Sequence, residues 1–296
     1  MPAKVKKAVI PAAGLGTRTL PASRTVPKNL LNVFDRPMIA HVVTEGRASG
    51  IEHFVLVVGR GQGAIEDEFD HAFELEATLA AQGKAEALAP LLSELGEPGE
   101  FSFVRQMNPG GLGHAVWCAR HLIGAEPFAV MLPDMLKASD PPALAQLVAA
   151  QAEVGGNVVL VEETPTGQTH RYGIVDLGET APGFEGRLRH LVGMVEKPPP
   201  GTEPSHLFIS GRYVLEPEIF EILGRKEKGA LGEIQLTDAM LRLMQSRPFH
   251  ALEFAGEGFD CGDIAGLLKA NLAFALADPK FGAEARQILS ERLARD

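Results

Sequence analysis

Short apolar runs alternate with stretches of helical periodicity through the first half of this chain, and that alternation leaves few architectures open. Residues 8–11, 53–58, 101–105, 127–132 and 157–162 read as strands. Between them, residues 37–49 carry Met38, Ile39, Val42 and Val43 on one helical side. Residues 64–95 are mostly helical with a break near Gly83, and residues 114–122 and 142–152 are helical. A parallel strand pair needs a long crossover, commonly a helix. The pattern therefore predicts an α/β fold with a central, mostly parallel sheet flanked by helices. The second half changes character. Residues 172–177, 188–195 and 207–215 read as strands without long helices between them, which predicts antiparallel or mixed additions to the sheet. Residues 238–244 continue a helix that starts near Glu233, and C-terminal helices cover 264–277 and 283–293. No repeat, low-complexity tract or linker divides the chain; Pro198-Pro199-Pro200-Gly201 reads as a stiff surface turn.

The first strand runs into Ala12-Ala13-Gly14-Leu15-Gly16-Thr17-Arg18, followed by Pro27-Lys28. Glycines let a backbone turn sharply and bring bare N–H groups against a ligand. Arg18 offers a planar fork for phosphate oxygens and Lys28 a mobile point charge. Together they describe a site where one polyphosphate touches all three. The loop is not a P-loop, whose spacing is absent, nor a dinucleotide fingerprint, since Thr19 stands where the third glycine belongs. A formal net charge of −10 argues against a general nucleic-acid surface. Phosphate binding must then come from a few focused cations, and Lys28 and Lys197 stand out in glycine-rich or apolar surroundings. The 296 residues can form one large domain or one with a sizeable insertion. No apolar run approaches the ~20 residues that span a bilayer, so no membrane partner is expected. The basic start, Met1 to Lys7, lacks the h-region of a secretory signal. Cys118 and Cys261 make neither a disulfide framework nor a zinc site, which points to a reducing cytoplasm.

Further along, Leu132-Pro133-Asp134 closes an apolar strand. Ligands of open α/β sheets bind beyond such carboxyl ends. Asp134 there either holds Mg²⁺, which takes one or two carboxylates plus substrate phosphates, or caps a turn. Asp260, in Phe259-Asp260-Cys261-Gly262, either joins it as a second metal carboxylate or is likewise a turn residue. Gln106 precedes Pro109-Gly110-Gly111-Leu112-Gly113-His114; a carboxamide beside a glycine loop can pair with a base edge. His114 reads as support for the helix it opens rather than as an acid or base. Glu196-Lys197 follows a strand and would point to opposite sides if the strand is regular, with Glu196 on sugar hydroxyls and Lys197 on a sugar phosphate. The competing reading is a solvated charge pair. Gly173 starts a strand where a ligand can pass close to the backbone. Glu233-Ile234-Gln235-Leu236-Thr237-Asp238 reads as a helix start, structural or otherwise.

These pieces spell a family pattern. The chain resembles the bacterial UTP–glucose-1-phosphate uridylyltransferases (UDP-glucose pyrophosphorylases) of the sugar-nucleotidyltransferase superfamily. The resemblance is carried by Ala13-Gly14-Leu15-Gly16-Thr17-Arg18, Pro27-Lys28, Gly111-Leu112-Gly113-His114-Ala115-Val116, Leu132-Pro133-Asp134, Tyr172-Gly173-Ile174-Val175-Asp176, Val195-Glu196-Lys197-Pro198, Gly211-Arg212-Tyr213-Val214-Leu215, Glu233 to Ala239 and Phe259-Asp260-Cys261-Gly262, in the family's order over nearly the whole chain. It implies a Rossmann-like nucleotidyltransferase fold in one domain. Residues to about 135 would serve the nucleotide, about 136–262 the sugar phosphate, and about 263–296 would be C-terminal helices. It implies UTP and glucose 1-phosphate as substrates, UDP-glucose and pyrophosphate as products, Mg²⁺ as cofactor, and a homodimer or homotetramer.

By the same resemblance Arg18 and Lys28 face the departing pyrophosphate, and Ala13, Gly14, Gln106 and Gly111 bind uridine, with Gly16 and Thr17 in the same nucleotide loop. Asp134 holds the metal, and Gly173, Glu196 and Lys197 receive glucose 1-phosphate. Arg18, Lys28, Asp134 and Lys197 form the expected catalytic set. The chemistry agrees: a sugar phosphate is already a competent nucleophile, so the obstacle is the approach of two anions, which cations and positioning offset.

Three places depart from the pattern: Asn29 where an acidic residue is usual, Gln62 where a lysine is frequent, and Asp263-Ile264-Ala265-Gly266 where a lysine commonly follows the last motif. Asn29 is expected to alter contacts at the nucleotide end, and the last departure to remove a cation from the cleft's edge. They keep open a non-catalytic regulatory homologue that binds nucleotide or sugar phosphate. A further alternative, an enzyme with another nucleotide or sugar such as dTTP, stays open because Gln106 and the glycine loop do not separate uracil from thymine.

Overall fold

The computed structural model describes residues 4–229 and 232–295. In chain order the elements are β1 (Lys7–Pro11), a small hairpin of β2 (Asn32–Val33) and β3 (Arg36–Pro37), α1 (Met38–Ala48), β4 (His53–Val58), α2 (Ala64–Asp67), α3 (Phe73–Ala81), α4 (Ala85–Glu94) and β5 (Phe101–Arg105). There follow α5 (Leu112–Cys118), α6 (Arg120–Ile123), β6 (Phe128–Met131), β7 (Met135–Ala138), α7 (Ala143–Val154), β8 (Asn157–Glu163), β9 (Gly173–Thr180), β10 (Leu188–Glu196) and β11 (Leu207–Leu215). The last are α8 (Ile219–Gly224), α9 (Leu236–Leu243), β12 (Phe249–Glu253), β13 (Glu257–Asp260), α10 (Ile264–Ala277) and α11 (Gly282–Leu293).

A nine-stranded sheet runs β5-β4-β1-β6-β11-β8-β12-β10-β9. The pairs β5–β4, β4–β1, β1–β6 and β8–β12 are parallel. The pairs β6–β11, β11–β8, β12–β10 and β10–β9 are antiparallel, as is a contact of β11 with β9. The sheet is thus evenly mixed rather than mostly parallel. The parallel reading holds for the first half, where helices cross over. It fails beyond β8, because β9, β10 and β11 follow one another without long helices and so run back antiparallel.

Alternate side chains of one strand enter opposite cores, as the pleat requires. Ala8 and Ile10 join one cluster with Met38, Ile39 and Val42 of α1 and Leu144 and Leu147 of α7. Val9 joins the other, with Ala115 and Val116 of α5, Phe220 of α8 and Met240 of α9. Both faces of the sheet are therefore covered. No helix among the described residues is long and apolar enough to cross a membrane. The register aligns β1, β4, β5 and β6, so Ala12, Gly59, Gln106 and Leu132 emerge on one edge of the sheet. That edge carries the site.

Candidate active site

A cleft of about 850 Å³ lies along this edge. It is lined by every residue to which the sequence assigned a substrate or metal role: Ala13, Gly14, Gly16, Thr17, Arg18 and Lys28 on one side, with Gln106, Gly111, Asp134, Gly173, Glu196, Lys197 and Asp260 around them.

The glycine loop is held by polar partners. Ala12 N–H continues the β1 ladder by donating to Val57 O at 2.8 Å. Gly16 adopts φ +66, and a Cβ there would sit 2.8 Å from Lys28 Cβ, so only glycine lets the loop lie on the lysine stem. Its carbonyl accepts from the Thr19 and Ser23 hydroxyls at 2.8 and 2.6 Å. A short 3₁₀ turn, Thr17–Thr19, follows the loop in place of an α-helix. Two of the departures explain themselves here. Asn29 does not reach the cleft: it is fully buried and its Nδ2 donates to Ala12 O at 2.9 Å. Gln62 accepts from Gly59 N at 2.6 Å and donates to Gly14 O at 3.3 Å. Both amides grip the loop's backbone carbonyls.

Lys28 and Asp134 meet at 2.5 Å, each side chain 15% exposed. Burial alone would raise the Asp134 carboxyl, but Lys28 and then Arg18 hold it below its ordinary value. The turn that carries Asp134 is fixed on its far side by Cys261 N donating to Asp134 O at 2.8 Å. Asp260, at the end of β13, accepts from the Tyr172 hydroxyl at 2.8 Å and from Gly262 N at 2.9 Å. Arg18 reaches over this corner, since a Cβ on Gly262 would lie 2.8 Å from its Nη2. At the third departure, Asp263 caps α10 by accepting from Gly266 N at 3.0 Å and binds Arg171 Nη2 at 2.7 Å. A cation, Arg171, therefore stands at the cleft's edge after all.

On the other wall, Glu196 pairs with Gly173 across β10–β9. The expectation that Glu196 and Lys197 diverge is corrected. Lys197 takes φ +47 with its N–H on Tyr172 O at 2.9 Å, the strand ends there, and its ammonium turns back to 3.5 Å from Glu196 Oε1. Glu196 is oriented further by the Thr237 hydroxyl at 2.7 Å. Thr237 and Tyr172 line the cleft beside these carboxylates and were not picked out by residue-by-residue reading; the motifs containing them were the available signal. Beside the second glycine loop, Gln106 Nε2 donates to Gly111 O at 3.2 Å and lies 3.0 Å from His114 Nδ1. Burial and Lys226 lower the His114 pKa, so a neutral ring accepting at Nδ1 from Gln106 fits. Gly111 has φ +97 and sits against the Ile234 carbonyl, 2.8 Å from where a Cβ would be.

A glycine loop at the carboxyl edge of a mixed α/β sheet, two cations at its mouth, and facing aspartates define a site of the nucleotidyltransferase class. The comparisons agree. A family model described as "Nucleotidyl transferase" matches residues 7–276. A UTP–glucose-1-phosphate uridylyltransferase of Bacillus subtilis is 44% identical over 275 residues, 93% of this chain and 92% of the relative. The structure of a UTP-bound UGPase from Acinetobacter baumannii superposes with TM-score 0.88 at 40% identity, covering 97% of this chain and 99% of that one. A UDP-glucose pyrophosphorylase complexed with UDP-glucose superposes with TM-score 0.80 at 35% identity, over 91% and 98%. The chain belongs to the UTP–glucose-1-phosphate uridylyltransferase family of nucleotidyl transferases.

Proposed function

We propose that the chain transfers UMP from UTP to glucose 1-phosphate, giving UDP-glucose and pyrophosphate. A phosphate oxygen of the sugar phosphate attacks the α-phosphorus of UTP as the bond to the β-phosphate oxygen breaks. The attacking group is already anionic, so no general base is required. The observation that carries this reading is the placing of two cation sets on opposite walls of one cleft. Arg18 and Lys28 stand at the glycine loop, where the departing pyrophosphate would lie, and Lys197 stands beside Glu196 where the incoming phosphate and sugar hydroxyls would lie. Preorganised charge of this kind offsets anion repulsion and stabilises the leaving group.

Gln106 supports uracil. With its N–H groups directed at Gly111 and His114, it offers its carboxamide oxygen, which suits a base with an N–H donor such as N3 of uracil. Thymine shares that donor, so Gln106 alone leaves dTTP to pocket shape. Cytosine, with an acceptor at N3, is disfavoured.

Mg²⁺ fits the donors present. Among the described residues no cluster of three or more His, Cys, Asp or Glu could hold a metal. Magnesium needs only one or two carboxylates with substrate phosphates, and Asp134 with Asp260 would supply them. When bound it would neutralise charge on the triphosphate. Residues up to about 135 would serve the nucleotide, about 136–262 the sugar phosphate, and the helices beyond would cover one side. Exposed Ile264, Leu268 and Leu272 on α10 and Ile288 on α11 support a homodimer or homotetramer.

The reading is tested by incubating the purified chain with UTP, glucose 1-phosphate and Mg²⁺ and resolving nucleotides by anion-exchange chromatography. UDP-glucose should appear in step with pyrophosphate. Hydrolysis of UTP without a sugar nucleotide, or no turnover, would contradict it.

A further inference from the structure

Arg212 is fully buried, and its guanidinium is spent on one carboxylate and two backbone carbonyls. Nε and Nη2 donate to the two oxygens of Glu45 at 3.0 and 2.7 Å, a bidentate pair with Glu45 itself only 9% exposed. Nη1 donates to the carbonyls of Leu132 at 3.0 Å and Gly211 at 3.3 Å. Leu132 opens the turn that presents Asp134, and its carbonyl also accepts from Met135 N at 3.3 Å. The strand is shaped for this. The pairing of β11 with β8 slips between Ile209 and Tyr213, the mark of a bulge, and bulges re-aim side chains. Gly211 lies inside the slip with φ +82, and a Cβ on it would sit 2.7 Å from Met135 Cβ. Its carbonyl accepts from Leu132 N at 2.9 Å. Glu45 is anchored in turn by Leu144 N at the start of α7, 3.0 Å away.

Stability is a weak reason for such a pair, because well-packed apolar residues in place of a buried ion pair are often neutral or stabilising. We propose that Arg212, braced by Glu45, is a positioning residue that fixes the Leu132-Pro133-Asp134 turn and so aims the Asp134 carboxylate at the reacting phosphates. The fork is what the role requires. One guanidinium spans Glu45 and the Leu132 carbonyl together, whereas an ammonium is a point charge that cannot hold both in one plane. The inference rests on the reading of Asp134 as the carboxylate that works on the phosphates.

The test compares R212K, E45Q and the apolar pair E45M/R212M with wild type and with D134N. Steady-state kinetics, thermal unfolding, and Mn²⁺ affinity of the UDP-glucose-saturated protein by electron paramagnetic resonance are read for each. Outer partners of metal ligands commonly affect affinity or activity by 10–100-fold, so kcat should fall by about that factor and Mn²⁺ binding weaken about tenfold. KM for both substrates should stay within about twofold, since uniform binding is untouched. E45M/R212M should lose the same activity with its unfolding temperature maintained. If it fails to fold, R212K and E45Q decide alone. Wild-type kcat and Mn²⁺ affinity in R212K and E45Q, whatever their unfolding temperatures, would overturn the proposal and leave the pair a structural brace. Full activity in D134N would instead overturn the underlying reading of Asp134.

Discussion

Replacing Lys28 by methionine removes one half of the closest ion pair at the site while keeping most of the side chain's volume. The two heads are 2.5 Å apart and each side chain is 15% exposed. At an effective dielectric of about 20 the gross attraction at that distance is ~7 kcal/mol, most of it offset by desolvation of both ions. Removing one partner of such a pair costs ~3–5 kcal/mol, because the other charge stays buried. Arg18 still acts on Asp134, and the site is not sealed from water, so the lower figure, about 3 kcal/mol, is expected. For a chain of 296 residues that is a fall of roughly 5 °C in unfolding temperature.

The effect has a defined pH dependence. In the wild type the folded Asp134 carboxyl titrates below its ordinary value of 3.8. The pair's contribution is therefore complete above that value and is lost as pH falls through the lower folded one. In K28M burial, now opposed chiefly by Arg18, should raise the carboxyl, so the gap between variant and wild type should narrow from about pH 7 to about pH 4. K28M/D134N should recover most of the lost stability, since no uncompensated charge remains, yet both variants should lose ~10²-fold or more in kcat if Lys28 acts on transition-state charge. Calorimetry at the two pH values and a pyrophosphate-release assay measure the two effects separately. K28M that unfolds at the wild-type temperature at neutral pH, or a double variant as unstable as the sum of the singles, would refute the reasoning.

Lys197→Met should lower kcat/KM for glucose 1-phosphate by ~10²-fold with little change in unfolding temperature, checked by kinetics and calorimetry; unchanged kinetics would remove it from the sugar-phosphate wall. Gly111→Ala places a Cβ 2.8 Å from the Ile234 carbonyl at φ +97 and should cost ~1–3 kcal/mol while raising KM for UTP, read by unfolding and by UTP titration. The Cys261 thiol is buried, and burial with Asp134, Asp260 and Asp263 nearby pushes it up to about 12, so iodoacetamide at neutral pH should leave it unlabelled in the folded protein and label it after denaturation, by mass spectrometry.

Local pattern located much of the scaffold. The expected spans at 53–58, 101–105, 207–215 and 264–277 coincide with β4, β5, β11 and α10, because each is either a compact apolar strand run or a long, predominantly apolar helical one. The missed strands have no such signature. Of these, β7 is four residues long and, among the described residues, pairs with β13 alone, far along the chain, and β12 finds its partners in β8 and β10. The helix expected from Glu233 begins at Leu236, since Ile234 instead exchanges backbone bonds with Gly110 and Gly113 at 2.8 and 2.9 Å. That is tertiary context overriding local preference.

The site followed the same division. Motif residues could be named from the chain because their chemistry is local to each loop. What could not be read was how they combine: the left-handed turn at Lys197 that swings it toward Glu196, the Tyr172–Asp260 bond between residues 88 apart, and the pairing of Arg171 with Asp263. Each depends on which strands become neighbours, and the mixed order of the sheet's second half was not fixed by periodicity.

The most direct test of the account is pyrophosphate release by the purified protein with Mg²⁺, glucose 1-phosphate and, separately, UTP, dTTP, ATP, CTP and GTP. The account predicts strong release with UTP, abolished when either the sugar phosphate or the metal is left out, and little with CTP or ATP. No release with any nucleotide, while calorimetry still records binding of UTP or UDP-glucose, would contradict it and leave a regulatory binding protein in the enzyme's place.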